Sequence, residues 1–362
     1  MKGSYLGPIA ARWQVGAALL LFAMAGPAMA TGTIKGTVTA SPKGALDNAL
    51  VYATSDKFIV VHDSVGGDGT YSLDVDPGTY TVALVADNQD VAPVTNLVVA
   101  DGKTVTQDFK LADRKPFPIV KSPNPIPLDQ DINSAAFMDA QDINLDMGQN
   151  EAVGPGDQWG MQGGPKAVSG RFRLKYSTQA IHVAADLTFK TPHVNTFITT
   201  DETNLWNGNG LEFDVQNDPY TSDRTDKDAD HDWQLVVGLG DSTAWYLHGA
   251  VNAPPNAPVA SNVLATDKTT KDGQLVRVDI PWSILLQGDA TGKPIAAPAD
   301  NALGAFDIAL DASDPTVDKS TAVRLWQLTW SGFPNGHWAA SSLVAVQYVP
   351  QAPAATPPTA GQ

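Results

Sequence analysis

Trp206 stands in "LWNGNG" with Asn204, Asn207 and Asn209 around it, and Glu212 follows six residues later inside the run Leu211, Phe213, Val215. An indole in that setting has two fates. It can pack into a core, as large aromatic side chains usually do. It can instead stand at a turn and offer its flat face to a ligand, because turn residues rarely enter a core. The C–H face of a pyranose ring is a good match for such an indole, and a stacked contact of this kind adds about 0.5–1.5 kcal/mol beyond burial. Strand alternation puts Glu212 on the face opposite Leu211, Phe213 and Val215. There it is either a solvated charge or a carboxylate that takes paired hydrogen bonds from vicinal hydroxyls. Glutamate is scarce here: Glu151, Glu202 and Glu212 are the only ones among 39 acidic residues.

Two acidic stretches offer a different chemistry. "DRTDKDADHDW" sets Asp226, Asp228, Asp230 and Asp232 at alternate positions, and "DASDPTVD" contributes Asp311, Asp314 and Asp318. Calcium takes six to eight hard oxygen ligands, so either stretch could hold a structural Ca2+; the alternative is a solvated loop that keeps the chain soluble. The glycine and glutamate that an EF-hand loop requires are missing. Nucleophilic catalysis finds little to work with: there is no cysteine, no Gly-x-Ser-x-Gly turn, and the six histidines are scattered without metal-ligand spacing. Paired carboxylates remain open in so Asp-rich a chain, yet none sits in an obviously apolar setting. The expectation is a protein that binds without catalysing.

The bulk properties narrow the partners. Lys2 and Arg12, an apolar run from Val15 to Ala25 and "AMA" before Thr31 follow the order of a secretory signal peptide, cleaved after Ala30. The apolar run is short and Pro27 interrupts it, which disfavours a retained membrane anchor. Loss of residues 1–30 removes two positive charges and moves the net charge from −16 to −18. Nucleic acid and anionic lipid need clustered Lys and Arg, so neutral polymers and cations are the better partners. An exported chain with no cysteine forms no disulfides and fits a bacterial periplasm or the cell exterior. No zipper or long helix points beyond a monomer.

The elements that must position these residues read as strands throughout. Residues 31–112 show short alternating runs ("TIKGTVTA", "ALVYAT", "YSLDV", "TYTVALVA", "NLVVA", "TVTQDFKL") separated by "SPKG", "GGDG" and "DPG", the pattern of a small sandwich of prealbumin or immunoglobulin type. Five prolines over residues 113–128 mark a stiff linker or an extended lead-in to the next domain. Residues 119–349 repeat the two-residue period in "RFRLKYS", "AIHVAADLTF", "GLEFDVQ", "WQLVVGLG", "LVRVDIPW", "AFDIALDA", "RLWQLTW" and "SLVAVQYV". Two packed antiparallel sheets are expected there, with one turn of helix after Pro281 at most. The fold class is therefore all-β, a small sandwich followed by a larger one. Residues 350–362 have little to bury and form a disordered tail.

Two resemblances sharpen this. Gly36, Val38, Ala49, Val51, the run Asp68–Tyr71 and the run Pro77–Tyr80 resemble the carboxypeptidase regulatory-like β-sandwich modules, which implies a spacer. Further along, "IPLDQDINSAAF", "RFRLKYSTQAIHVAADL", "LWNGNGLEFDV", "VRVDIPWSILL", "AFDIALDASD" and "LTWSG" occur in that order. Together they resemble family 9 carbohydrate-binding modules and their DOMON-like sandwich relatives. Gln130, Phe137 and Asn209 stand where that family usually has Gly, Trp and Asp. The resemblance implies an oligo- or polysaccharide ligand, as in polysaccharide catabolism, held between Trp206 and Trp330 with Glu212 and Gln327 as hydrogen-bonding partners. Gln234 stands on the strand where the family often supplies an arginine. Trp282 and Trp326 are expected to face the core. Structural calcium is also a family trait. Some DOMON-like relatives bind haem instead, and Met138, Met147, Met161, His182 and His193 are the axial ligands this chain could offer.

Overall fold

The computed structural model describes residues 31–40, 46, 49–56, 60–86, 89–145, 151–152, 168–189, 205–206, 208–216, 232–240, 245–249, 257–258, 264–285, 296–313, 324–331 and 343–351. Among them the secondary structure is β, with short 3-10 turns such as Ala135–Phe137 and Trp282–Ile284.

Ten strands occupy the first part: β1 (Gly32–Thr39), β2 (Leu50–Ser55), β3 (Val60–Ser64), β4 (Thr70–Val75), β5 (Gly78–Val85), β6 (Gln89–Asp90), β7 (Val94–Val99), β8 (Thr104–Thr106), β9 (Phe109–Lys110) and β10 (Ala112–Asp113). One sheet has the order β4-β1-β8, with β9 also on β1, and the other has the order β3-β2-β5-β7. Alternate residues of both sheets meet in one core, including Ile34, Val51, Leu73, Val82 and Phe109. That is how period-two sequences with one oily face bury it. The "GGDG" turn is set by Gly69, whose φ of 81° suits a residue without Cβ, and by Asp68, whose Oδ1 accepts from the Thr70 amide and hydroxyl at 3.0 and 2.7 Å.

The second part contains β11 (Phe117–Lys121), β12 (Asp142–Leu145), β13 (Glu151–Ala152), β14 (Val168–Tyr176), β15 (Ala180–Phe189), β16 (Gly210–Gln216), β17 (Asp232–Gly238), β18 (Trp245–Gly249), β19 (Ala257–Pro258), β20 (Leu264–Thr269), β21 (Gly273–Pro281), β22 (Leu303–Ser313), β23 (Arg324–Thr329) and β24 (Val344–Val349). Hydrogen bonding connects all 14 in one curled sheet, with the main path β19-β18-β17-β16-β22-β24-β11-β14-β15-β21-β20. The two halves of this path share a core that includes Phe172, Val183, Val278, Phe213, Phe306 and Leu328. The expectation of two separate antiparallel sheets is refined here. Strand β11 runs parallel to both β24 and β14 and joins the halves. It comes from the proline-rich stretch, so its residues belong to the second core rather than to a linker: Ile119 is fully buried there. Pro118 is tolerated because β14 pairs only with Val120 and Lys121, leaving the proline's missing N–H outside that ladder.

Strand β22 positions the functional face. Its first half pairs with β24 and its second half with β23, while β16 runs along its other edge. Close approach also shapes β21, where a Cβ on Gly273 would lie 1.7 Å from the Leu187 carbonyl oxygen of β15. Trp282, in the 3-10 turn that ends β21, is 5% exposed and donates from Nε1 to the Ser177 carbonyl at 2.9 Å.

Candidate functional site

In β16, Leu211, Phe213 and Val215 enter the core, as their alternation requires, and Glu212 and Asp214 face the other way. That other face is not open to water. Glu212 is 1% exposed and Asp214 5%, so the picture of Glu212 as a solvated outward charge is corrected. Directly opposed residues of an antiparallel sheet share a face, and the register places a polar surface across four strands. Gly238, Gly210, Asp311 and Gln327 form one row. Val236, Glu212, Ala309 and Thr329 form the next. Gln234, Asp214 and Asp307 form the third. Every polar residue in these rows is buried.

Three of the expected ligand-binding residues therefore converge. Gln234 Nε2 donates to Glu212 Oε2 at 2.8 Å, a diagonal contact between β17 and β16. Gln327 lies across Asp311 on the same face, and its Oε1 is buried without a hydrogen-bond partner. Trp206 is half-buried in the short turn that leads into β16. Trp330 goes elsewhere: it follows the core residue Leu328 by two positions and packs on the core, edge-on to Phe117 at 4.9 Å and 84°. Trp330 and Phe117 are both half-buried, at the margin of the core rather than inside it. Trp282 is buried as expected; the side chain of Trp326 lies outside the described ones.

The sequence reading passed over Asp307, Asp214, Thr329 and Ser331. Their signal was the alternation of Asp307, Ala309 and Asp311 with Phe306, Ile308 and Leu310, which puts acids on one face of a strand that is buried from Gly304 to Ala312. Asp307 accepts from the Ile308 and Ser331 amides at 2.8 and 2.9 Å and from the Ser331 hydroxyl. Burial pushes its carboxyl up from 3.8 to about 6, against these hydrogen bonds and the charge of Arg114, which pull it down. The folded chain thus holds a proton that the unfolded chain releases between about pH 4 and 6. The stabilisation is complete below that window and is lost as pH rises through about 6, amounting to about 3 kcal/mol at 1.36 kcal/mol per pKa unit. Asn at this position keeps an acceptor for the amides and a donor for Ser331 Oγ. Asp307→Asn is expected to flatten the stability curve between pH 4 and 7 in denaturant melts; a slope equal to that of the parent protein would contradict this.

Of the residues considered for calcium, Asp226, Asp228, Asp230 and Asp314 lie outside the described residues. Asp311 is a strand residue, fully buried in the polar face opposite Gly210, and not part of a loop. No cluster of three or more metal-ligating side chains occurs among the described residues. Of the residues considered for haem, Met147, Met161 and His193 lie outside them too. Met138 is 65% exposed and accepts from Arg173. His182 is buried with both ring nitrogens engaged, Nδ1 with Asp279 at 2.7 Å and Nε2 with Ser177 Oγ at 3.0 Å.

Ser177, His182 and Asp279 have the order of a nucleophile, base and acid. The hydroxyl, however, accepts from the Gln179 and Ala180 amides at 3.2 and 3.3 Å and its residue is 2% exposed. It ties down the turn between β14 and β15 and presents no nucleophile.

No protein-family model matches the chain, and no curated relative does. Solved structures overlap it in part. A family 9 carbohydrate-binding module from Caldicellulosiruptor kristjanssonii in complex with cellotriose overlays at a TM-score of 0.43 and 13% identity, covering 67% of this chain and 98% of that one. The glucose complex of such a module from the same organism gives 0.41 and 13%, with 66% and 100% covered. At overlaps of this size, the functional reading rests on the residues of the site itself.

Proposed function

We propose that the polar face of β16, β17, β22 and β23 binds a neutral carbohydrate without breaking bonds, in a protein exported from a bacterial cell. The observation that carries this reading is the unpartnered Gln327 Oε1, buried in a face that presents Glu212, Asp214, Asp307 and Asp311. The described side chains of these three rows include no Lys or Arg. A face so rich in acceptors favours a ligand that brings hydroxyl donors, and leaving a buried acceptor unmatched costs about 1–3 kcal/mol. Gln234 holds the Glu212 carboxylate in place, so that the acid orients sugar hydroxyls while Trp206 stacks on the ring from the adjoining turn. The first sandwich, with a core of its own, serves as a spacer.

Titration of the full chain with cellotriose and a panel of neutral oligosaccharides, followed by tryptophan fluorescence, tests this. Trp206→Ala should weaken binding by about 2 kcal/mol, near thirtyfold. An unchanged titration would remove the indole from the site.

A further inference from the structure

The far side of the second unit holds a cavity of about 820 Å³ that the carbohydrate reading does not use. Its walls are mostly apolar, with Pro125, Pro127, Leu128, Trp282 and Ala297 among them, and Asp279 also lines it. The volume lies in the range of sites for small organic ligands. The indole wall is rigid, since Trp282 is tied by Nε1 to Ser177 and packs edge-on against Tyr348 at 5.9 Å.

Asp279 distinguishes this space from a packing defect. Its Oδ1 accepts from Arg277 at 3.0 Å and meets His182 Nδ1 at 2.7 Å. Its Oδ2 takes part in no protein hydrogen bond, and the side chain is 13% exposed beside the cavity. A largely buried carboxylate thus lines a mostly apolar space with one oxygen that no protein donor occupies. Such an oxygen can accept from a ligand hydroxyl that displaces solvent there. The donor is best uncharged, because Arg277 already balances the carboxylate, and a ligand cation would add a second positive charge beside the guanidinium. An anion would meet Asp279 in a chain of net charge −16.

We infer that this cavity is a second ligand site, for a neutral aromatic or alicyclic alcohol whose ring lies against the proline and tryptophan walls and whose hydroxyl donates to Asp279 Oδ2. The site is independent of the carbohydrate face, so either can fail alone. The test uses three matched probes, 4-isopropylbenzyl alcohol, its methyl ether and 4-isopropylbenzylammonium, titrated into the full chain by calorimetry and saturation-transfer NMR. The alcohol should bind at least tenfold more tightly than the ether and the ammonium ion. Asp279→Asn should erase that preference. Because it also disturbs His182 and Arg277, Ala296→Trp is the second variant: it alters an exposed residue of the lining and should abolish alcohol binding while the chain stays folded. Equal binding of alcohol and ether, tighter binding of the ammonium ion, no binding of any probe, or alcohol binding that survives Ala296→Trp would each overturn the assignment.

Discussion

Arg277→Ala should cost the second unit about 3–5 kcal/mol of stability, the usual price of stranding one half of a buried ion pair. Arg277 is 2% exposed on β21, between β15 and β20. Its NH1 donates to the Val183 carbonyl at 2.6 Å, and its NH2 to Asp279 at 3.0 Å and to the Ile126 carbonyl at 3.3 Å. Its guanidinium lies 4.9 Å from the centre of the Phe137 ring. Burial lowers its pKa and Asp279 raises it, so the ion is held by one carboxylate and a fork of carbonyls. Alanine removes all of these donors at once and leaves Asp279 with only His182. Lysine should rescue little, since a single ammonium cannot reproduce the planar fork. Urea denaturation monitored by circular dichroism checks this; a midpoint within experimental error of the parent would contradict it.

The second large effect concerns the ligand. Hydrogen bonds to a charged group contribute about 1.5–3 kcal/mol, so Glu212→Ala should lower carbohydrate affinity by one to two orders of magnitude. Glu212→Gln keeps the shape and one acceptor and should fall between the two. Part of the loss in the alanine variant comes through Gln234, whose amide donates to Glu212. Gln234→Leu therefore should not add its full effect to Glu212→Ala, and a double-mutant cycle by calorimetry measures the coupling.

The long strands were legible because their alternation is strong. Ala180–Phe189 and Gly210–Gln216 fall where "AIHVAADLTF" and "GLEFDVQ" place them. Strand β20 escaped notice because it has a single partner and turns Thr266 and Lys268 to water, and edge strands need little apolar alternation. Strand β12 does alternate, with Ile143 and Leu145 buried, but over only four residues. At the site, parity alone put Glu212 opposite the oily face, and it could not reveal that this second face is buried too. That depends on long-range pairing of β16 with both β17 and β22. The same pairing aligns Asp214 with Asp307, residues 93 positions apart, a relation no local pattern holds. The position of Trp330 was expected by resemblance alone; in the fold it lies just past the end of β23, half-buried against the core beside Phe117.

Isothermal titration of the full chain with cellotriose and other soluble neutral oligosaccharides, beside the folded Glu212→Ala variant, puts the central claim to its most direct test. The account predicts a dissociation constant on the order of 0.1–1 mM for at least one of them, lost in the variant. No heat of binding from any of them, or equal affinity in both proteins, would contradict it.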